Sequence, residues 1–196
     1  MGSPGQGSAS TQASKPRRTS AFLRLMTIHW WMARLFAVMF VTGWAMVRWP
    51  RTWNWQGQLY DLHKSLGVLA IMLLLWRIVV LLQVWWRKYT KRTPPFTLAW
   101  GRKVALHTML YLFMVGVPLS GVFYSNSIRA GNVSFFGLPV PDLFPADSAR
   151  IDLASNLHVW LAYTFAVFIG LHIFAQRKVV RAHWRQLRKW FQRKVT

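Results

Sequence analysis

His158 and His172 stand 14 residues apart in the apolar segment NLHVWLAYTFAVFIGLH. An α-helix turns about 100° and rises about 1.5 Å per residue, so the second ring returns to within roughly 40° of the first, about 21 Å further along. That distance is most of a hydrocarbon layer about 30 Å thick. One spanning helix would therefore carry an imidazole near each membrane surface, both on one face. Axial ligation of two stacked haem irons requires such an arrangement, and packing alone does not. Two axial imidazoles make a six-coordinate iron suited to electron transfer rather than oxygen binding.

The elements that must hold these rings are readable from composition. The 196-residue chain is 54% hydrophobic, with 13 Trp and 13 Phe, four Asp and no Glu. Four windows, 22–47, 59–86, 99–124 and 152–176, are sparse in charge and exceed the roughly 20 residues a spanning helix needs. The expected fold is all-α: an integral membrane four-helix bundle with a C-terminal amphipathic surface helix. Residues 1–20 (MGSPGQGSASTQASKPRRTS) lack apolar periodicity and are expected to form a disordered tail. Residues 21–176 form the transmembrane domain. In 177–196 the apolar Val180, Trp184, Leu187 and Phe191 recur among Arg and Lys at helical spacing, as in a helix lying on a membrane surface. The long segment between the third and fourth spans, SNSIRAGNVSFFGLPVPDLFPADSARID, reads as an ordered loop capping the bundle. Trp49, Trp53 and Trp55 at one surface, and Trp85, Trp86, Trp100, Trp184 and Trp190 at the other, read as aromatic belts.

Cysteine is absent, which excludes disulfides, thiolate metal sites and covalent haem attachment through C-x-x-C-H. A haem here must be held non-covalently. The net charge of +21 is concentrated beside the spans, so anionic lipid is the implied partner and not nucleic acid. Lys15, Arg17 and Arg18, the cluster Arg87 to Lys103, and the basic C-terminus lie on one side. All four acids, Asp61, Asp142, Asp147 and Asp152, lie on the other. The positive-inside rule makes both termini cytoplasmic.

Depth then sorts the remaining histidines. His63 and His158 share the outer level. His29 and His172 share the cytoplasmic level, where His107 competes for the same place. His183 reads as an interfacial side chain on the surface helix. Gly43, 14 residues after His29, faces the bundle at the outer level, and Gly67 leaves room for a porphyrin edge. Arg77, 14 residues after His63, could pair a haem propionate, with the more deeply placed Arg34 a second candidate. Thr42, Ser65 and Ser120 are candidates to bond the second imidazole nitrogens.

IHWWMA, LYDLHKSLG, LHTMLYLFMVGVPLSG, FFGLPVPDLFP and LHVWLAYTFAVFIGLH, spread in order over residues 27–173, resemble the bacterial cytochrome b561 family. The resemblance implies a four-helix inner-membrane protein holding two haem b groups, with quinone as electron partner. It places the axial ligands at His29, His63, His158 and His172. His107 falls outside the usual ligand set, at a depth suiting contact with quinone or a haem edge. Beyond His172 this chain reads IFAQRKVVRAHWRQLRKWF and departs from the family pattern, which leaves the four ligands untouched.

The resulting expectation is a quinone-linked, haem-dependent oxidoreductase or electron carrier moving electrons between the two membrane faces. The same four histidines would serve a membrane-anchor cytochrome b subunit of a dehydrogenase or hydrogenase, with a redox protein as partner. An outer-face oxidation of superoxide, drawn by Arg48, Arg51, Lys64, Arg129 and Arg150, is a further alternative. A haem-free bundle would instead use its histidines as interhelical bonds or a proton path.

Overall fold

The computed structural model describes residues 20–48, 50, 52, 54–89 and 97–195. The tail expected over 1–20 lies outside the described residues except for Ser20, as do Trp49, Arg51, Trp53, Lys91 and Arg92. The helices are α1 (Ser20–Arg48), α2 (Gln56–Tyr89), α3 (Leu98–Ile128), α4 (Ile151–Ala175) and α5 (Arg177–Val195). Among the described residues four stretches are long and apolar enough to cross a membrane: Leu23–Arg48, Gln56–Trp86, Leu98–Ile128 and Ser148–Ala175. The chain is thus an all-α, four-helix integral membrane bundle. Its spans begin or end up to four residues beyond the sequence windows, because polar residues at each end continue the helical hydrogen bonds.

Burial is inverted relative to a soluble protein. Trp31, Trp44, Trp76, Trp160 and Val167 are all exposed on the outside of the spans. Such a surface is tolerable only where hydrocarbon covers it. The inward face is narrow and built from a seven-residue step: His29, Phe36 and Gly43 on α1; His63, Ala70 and Arg77 on α2; His158, Phe165 and His172 on α4. Seven residues are close to two turns, so each set stays on one side of its helix. The middle members Phe36, Ala70 and Phe165 are buried. Phe165 packs edge-on to Phe36 (centroids 5.1 Å apart) and stacks on Phe113 (6.0 Å), forming an aromatic layer between the two histidine levels.

The helices associate as two antiparallel hairpins, α1 with α2 and α3 with α4. Among the described residues, no Cα of α1 comes within 8 Å of one in α4, so side chains alone bridge that side of the bundle. The outer loop is ordered, as its sequence implied, and holds a two-residue-per-strand hairpin, β1 (Ser134–Phe135) with β2 (Leu138–Pro139). Its turn places Phe136 and Gly137 at φ 48° and 89°, a left-handed pair that matches strand twist. Ser65 Oγ accepts from the Phe136 N–H (3.0 Å) and also contacts the carbonyls of Asp61 and Ser134. Ser65 therefore pins the cap to α2 and does not bond an imidazole.

α4 ends at Ala175 where the Gln176 N–H closes on the His172 carbonyl (3.0 Å), and α5 follows at once. α5 carries the basic periodicity expected of it, with Arg177, Arg181, Arg185 and Arg188 exposed. The side chains of His183, Leu187, Trp190 and Phe191 are outside the described ones.

Candidate functional site

His63 from α2 and His158 from α4 face each other at the outer level with ring centroids 6.4 Å apart. His29 from α1 and His172 from α4 do so at the opposite level, the one that the positive-inside rule leads one to expect on the cytoplasmic side, 6.1 Å apart. A ring nitrogen lies about 2 Å from a transition metal it ligates and about 1.1 Å from its own ring centre, so two rings on opposite sides of one metal have centres about 6 Å apart. Both pairs meet that separation, and each joins one hairpin to the other. His107 is also at the cytoplasmic level, but its centroid is 5.2 Å from that of His172, short of the separation that two rings on opposite faces of one haem iron require. Its Nδ1 donates to the Lys103 carbonyl (2.7 Å) on its own helix.

Each outer imidazole rests on a hydroxyl–glycine pair of the neighbouring helix. Thr42 Oγ1 is 2.9 Å from His63 Nδ1, and a Cβ on Gly43 would stand 3.4 Å from His63 Cε1. Ser120 Oγ is 3.0 Å from His158 Nδ1, and a Cβ on Gly121 would stand 3.1 Å from His158 Cε1. His158 Nδ1 also lies 3.1 Å from the Val117 carbonyl. Thr42 and Ser120 thus stand where the sequence reading put them. Gly121 was missed, although a signal existed: the 14-residue step that links His29 to Gly43 also links His107 to Gly121.

Between the outer rings and the loop lies a cavity of about 360 Å³ lined by His63, His158, Gly67, Gly121, Tyr60 and Lys64. Gly67 has Met39 Cε at 3.7 Å from where a Cβ would be, so it is an ordinary contact and not a tight one. Lys64 is held by Asp61 (2.9 Å) and donates to the Asn132 carbonyl (2.9 Å). At the cytoplasmic level Arg77 Nε donates to the Tyr111 hydroxyl (2.9 Å), a partner that spacing could not reveal because it comes from α3. Arg34 instead lies over the Trp31 ring, 5.4 Å from its centroid, on the exposed side of α1. Buried His172 Nδ1 has no hydrogen-bond partner among the described residues.

The donor set, two facing imidazole pairs with no thiolate or carboxylate between them, suits haem iron. Comparison with known proteins agrees. Residues 18–191 match the family described as prokaryotic cytochrome b561. The chain is 32% identical over 156 residues to cytochrome b561 homolog 2 of Escherichia coli (strain K12), covering 76% of this chain and 79% of that protein.

Proposed function

The chain belongs to the prokaryotic cytochrome b561 family and is a haem b cytochrome of transmembrane electron transfer, and on that premise we propose that it binds two haem b groups, one at each membrane face. His63 and His158 are the proposed axial ligands of the outer haem, and His29 and His172 those of the cytoplasmic haem. The observation that carries this reading is the pair of ring separations, 6.4 Å and 6.1 Å, each the spacing of two imidazoles about one iron. Haem iron, when bound, supplies a one-electron couple whose potential follows its ligands and their surroundings.

The residues around the pairs have separable tasks. Gly43 and Gly121 let the outer rings lie against the neighbouring backbones. Phe36, Phe113 and Phe165 fill the layer between the levels and keep water out of it. Arg77, already bonded to Tyr111, offers a cation for a propionate at the cytoplasmic level. His107 lies beside His172 at the depth where a quinone headgroup would meet the cytoplasmic haem, and its Nε2 lone pair could accept from a quinol hydroxyl. The acceptor is accordingly a quinone, the membrane is the bacterial inner membrane, and both termini are cytoplasmic.

Haem quantification on the purified chain tests the reading. Two haems per chain are expected. His158→Ala and His172→Ala should each retain one, and His107→Ala should retain both. A preparation without b-type absorbance under ample haem supply overturns it. Loss of a haem from His107→Ala would give that residue the cytoplasmic ligand role in place of His29.

A further inference from the structure

The hydrogen bonds around the outer rings fix where their protons are. A hydroxyl has one proton to give and lone pairs to receive. Ser120 Oγ donates to the Val117 carbonyl (2.8 Å), and Thr42 Oγ1 donates to the Met39 carbonyl (3.1 Å). Each hydroxyl proton is thereby committed to its own helix. Toward the imidazole each oxygen can only accept. Both bonds of each hydroxyl are made at once only when His63 Nδ1 and His158 Nδ1 carry the ring proton, which leaves both Nε2 atoms the lone pair that a metal needs. For His158 a second constraint agrees: Nδ1 is 3.1 Å from the Val117 carbonyl, which cannot donate.

An Nδ1–H that donates to oxygen pushes electron density into the ring and makes Nε2 a stronger base. A stronger donor favours the ferric over the ferrous state, lowering the reduction potential. Both outer imidazoles receive this push. At the cytoplasmic level no described residue accepts from His172 Nδ1, so none gives that ring the same push. The charges act in the same direction. At that level Arg77 is bonded to the neutral Tyr111 hydroxyl (2.9 Å), and a cation there stabilises the state holding one more electron. The outer cation Lys64 is neutralised by Asp61 at 2.9 Å.

We propose that Thr42 and Ser120 are positioning residues that hold the outer haem at a lower reduction potential than the cytoplasmic haem. One electron then passes downhill from the outer level to the cytoplasmic level, the outer centre being oxidised as the cytoplasmic one is reduced. The inference rests on the ligand assignment above and adds a direction to it.

The test is a spectroscopic redox titration of the full-length purified chain. Two midpoints are expected, and the lower should vanish in His158→Ala. Thr42→Val, which keeps shape and removes the hydroxyl, should raise the lower midpoint toward the upper one with two haems still bound. Ser120→Ala should raise it less, because His158 keeps the Val117 carbonyl. Thr42→Ser and Ser120→Thr should restore it. If Thr42→Val sheds the outer haem, Ser120→Ala supplies the measurement. A lower midpoint that survives His158→Ala while one haem is lost, or midpoints unmoved in both hydroxyl variants at full haem content, overturns the proposal and leaves the ligand assignment standing. No haem lost from His158→Ala overturns the assignment itself.

Discussion

A methyl group at position 121 would stand 3.1 Å from His158 Cε1 and 3.4 Å from its Nδ1. The ring cannot yield freely, because Ser120 and the Val117 carbonyl hold Nδ1 from the same side. Gly121→Ala should therefore displace the imidazole, at a cost of about 1–3 kcal/mol typical of overpacking. The expected outcome is partial loss of one haem, read as a haem-to-protein ratio below two. Gly43→Ala, where the approach to His63 is 3.4 Å, should be milder. Gly116→Ala, with nothing within 4 Å, should leave the ratio unchanged. If all three variants behave alike, the glycines are not making room for the rings. Residue type was legible here only where it repeated a spacing. His158 and His172 announce themselves on one segment, but Ser120 and Gly121 belong to another helix, and their contact with His158 exists only after α3 and α4 pack.

At the scale of elements, α3 does more than span. Pro118 removes one N–H from its ladder at the level of the outer pair, and residues 117 to 121 there supply a carbonyl, a hydroxyl and a glycine to His158. One turn further on, Ser125, Asn126 and Ser127 are buried; the side chains of Ser125 and Asn126 turn to the outer loop, and Ser127 meets it with its carbonyl, which accepts from the Asp147 N–H. Asn126 is fully buried, donates to the Asp142 carboxylate and accepts from the Leu143 N–H (3.2 Å). Asp142 in turn accepts from the Gly131 N–H (2.8 Å), closing the loop on itself. Asn126→Ala would remove its bonds to the Asp142 carboxylate and the Leu143 N–H, each worth about 0.5–1.5 kcal/mol net. In detergent the variant should lose its haem absorbance at a lower temperature than the parent. Faster proteolysis within 129–147 should accompany it. An unchanged melting profile would mean that the loop is held without Asn126, by Ser65, Lys64 and the Ser125–Asn132 bonds. That loop reads as irregular from its Pro, Gly and Asn content, and its order comes from partners some 70 positions away in sequence.

For the whole molecule, an even number of spans leaves the chain ends on one side and the 129–147 loop on the other. The proposed orientation follows from the basic residues flanking the spans, since positively charged flanks are retained in the cytoplasm. Because the chain has no cysteine, single introduced thiols can report on this directly. A cysteine replacing exposed Ala146 should react with a membrane-impermeant maleimide added to spheroplasts, while one replacing exposed Ala182 on α5 should react only after lysis. The opposite labelling pattern would invert the membrane orientation and, with it, which haem faces outward. The bundle's two-hairpin arrangement also explains why, among the described residues, no Cα of α1 comes within 8 Å of one in α4: imidazoles and phenyl rings span the space between them.

By itself the sequence determined the membrane class, the number of spans and the two levels of histidine. These are one-dimensional properties: hydropathy is additive along a helix, and a fixed rise per residue converts position into depth. Depth could not say which of two histidines at one level stands opposite His172. Only packing sets the distances that bear on it, His29 at 6.1 Å and His107 at 5.2 Å from His172, and the proposed ligand pair rests on the longer one. The partners of the second nitrogens were decided in the same way. A hydrogen bond between helices depends on their rotation and approach to within an ångström, and residue spacing along one helix carries no record of its neighbour.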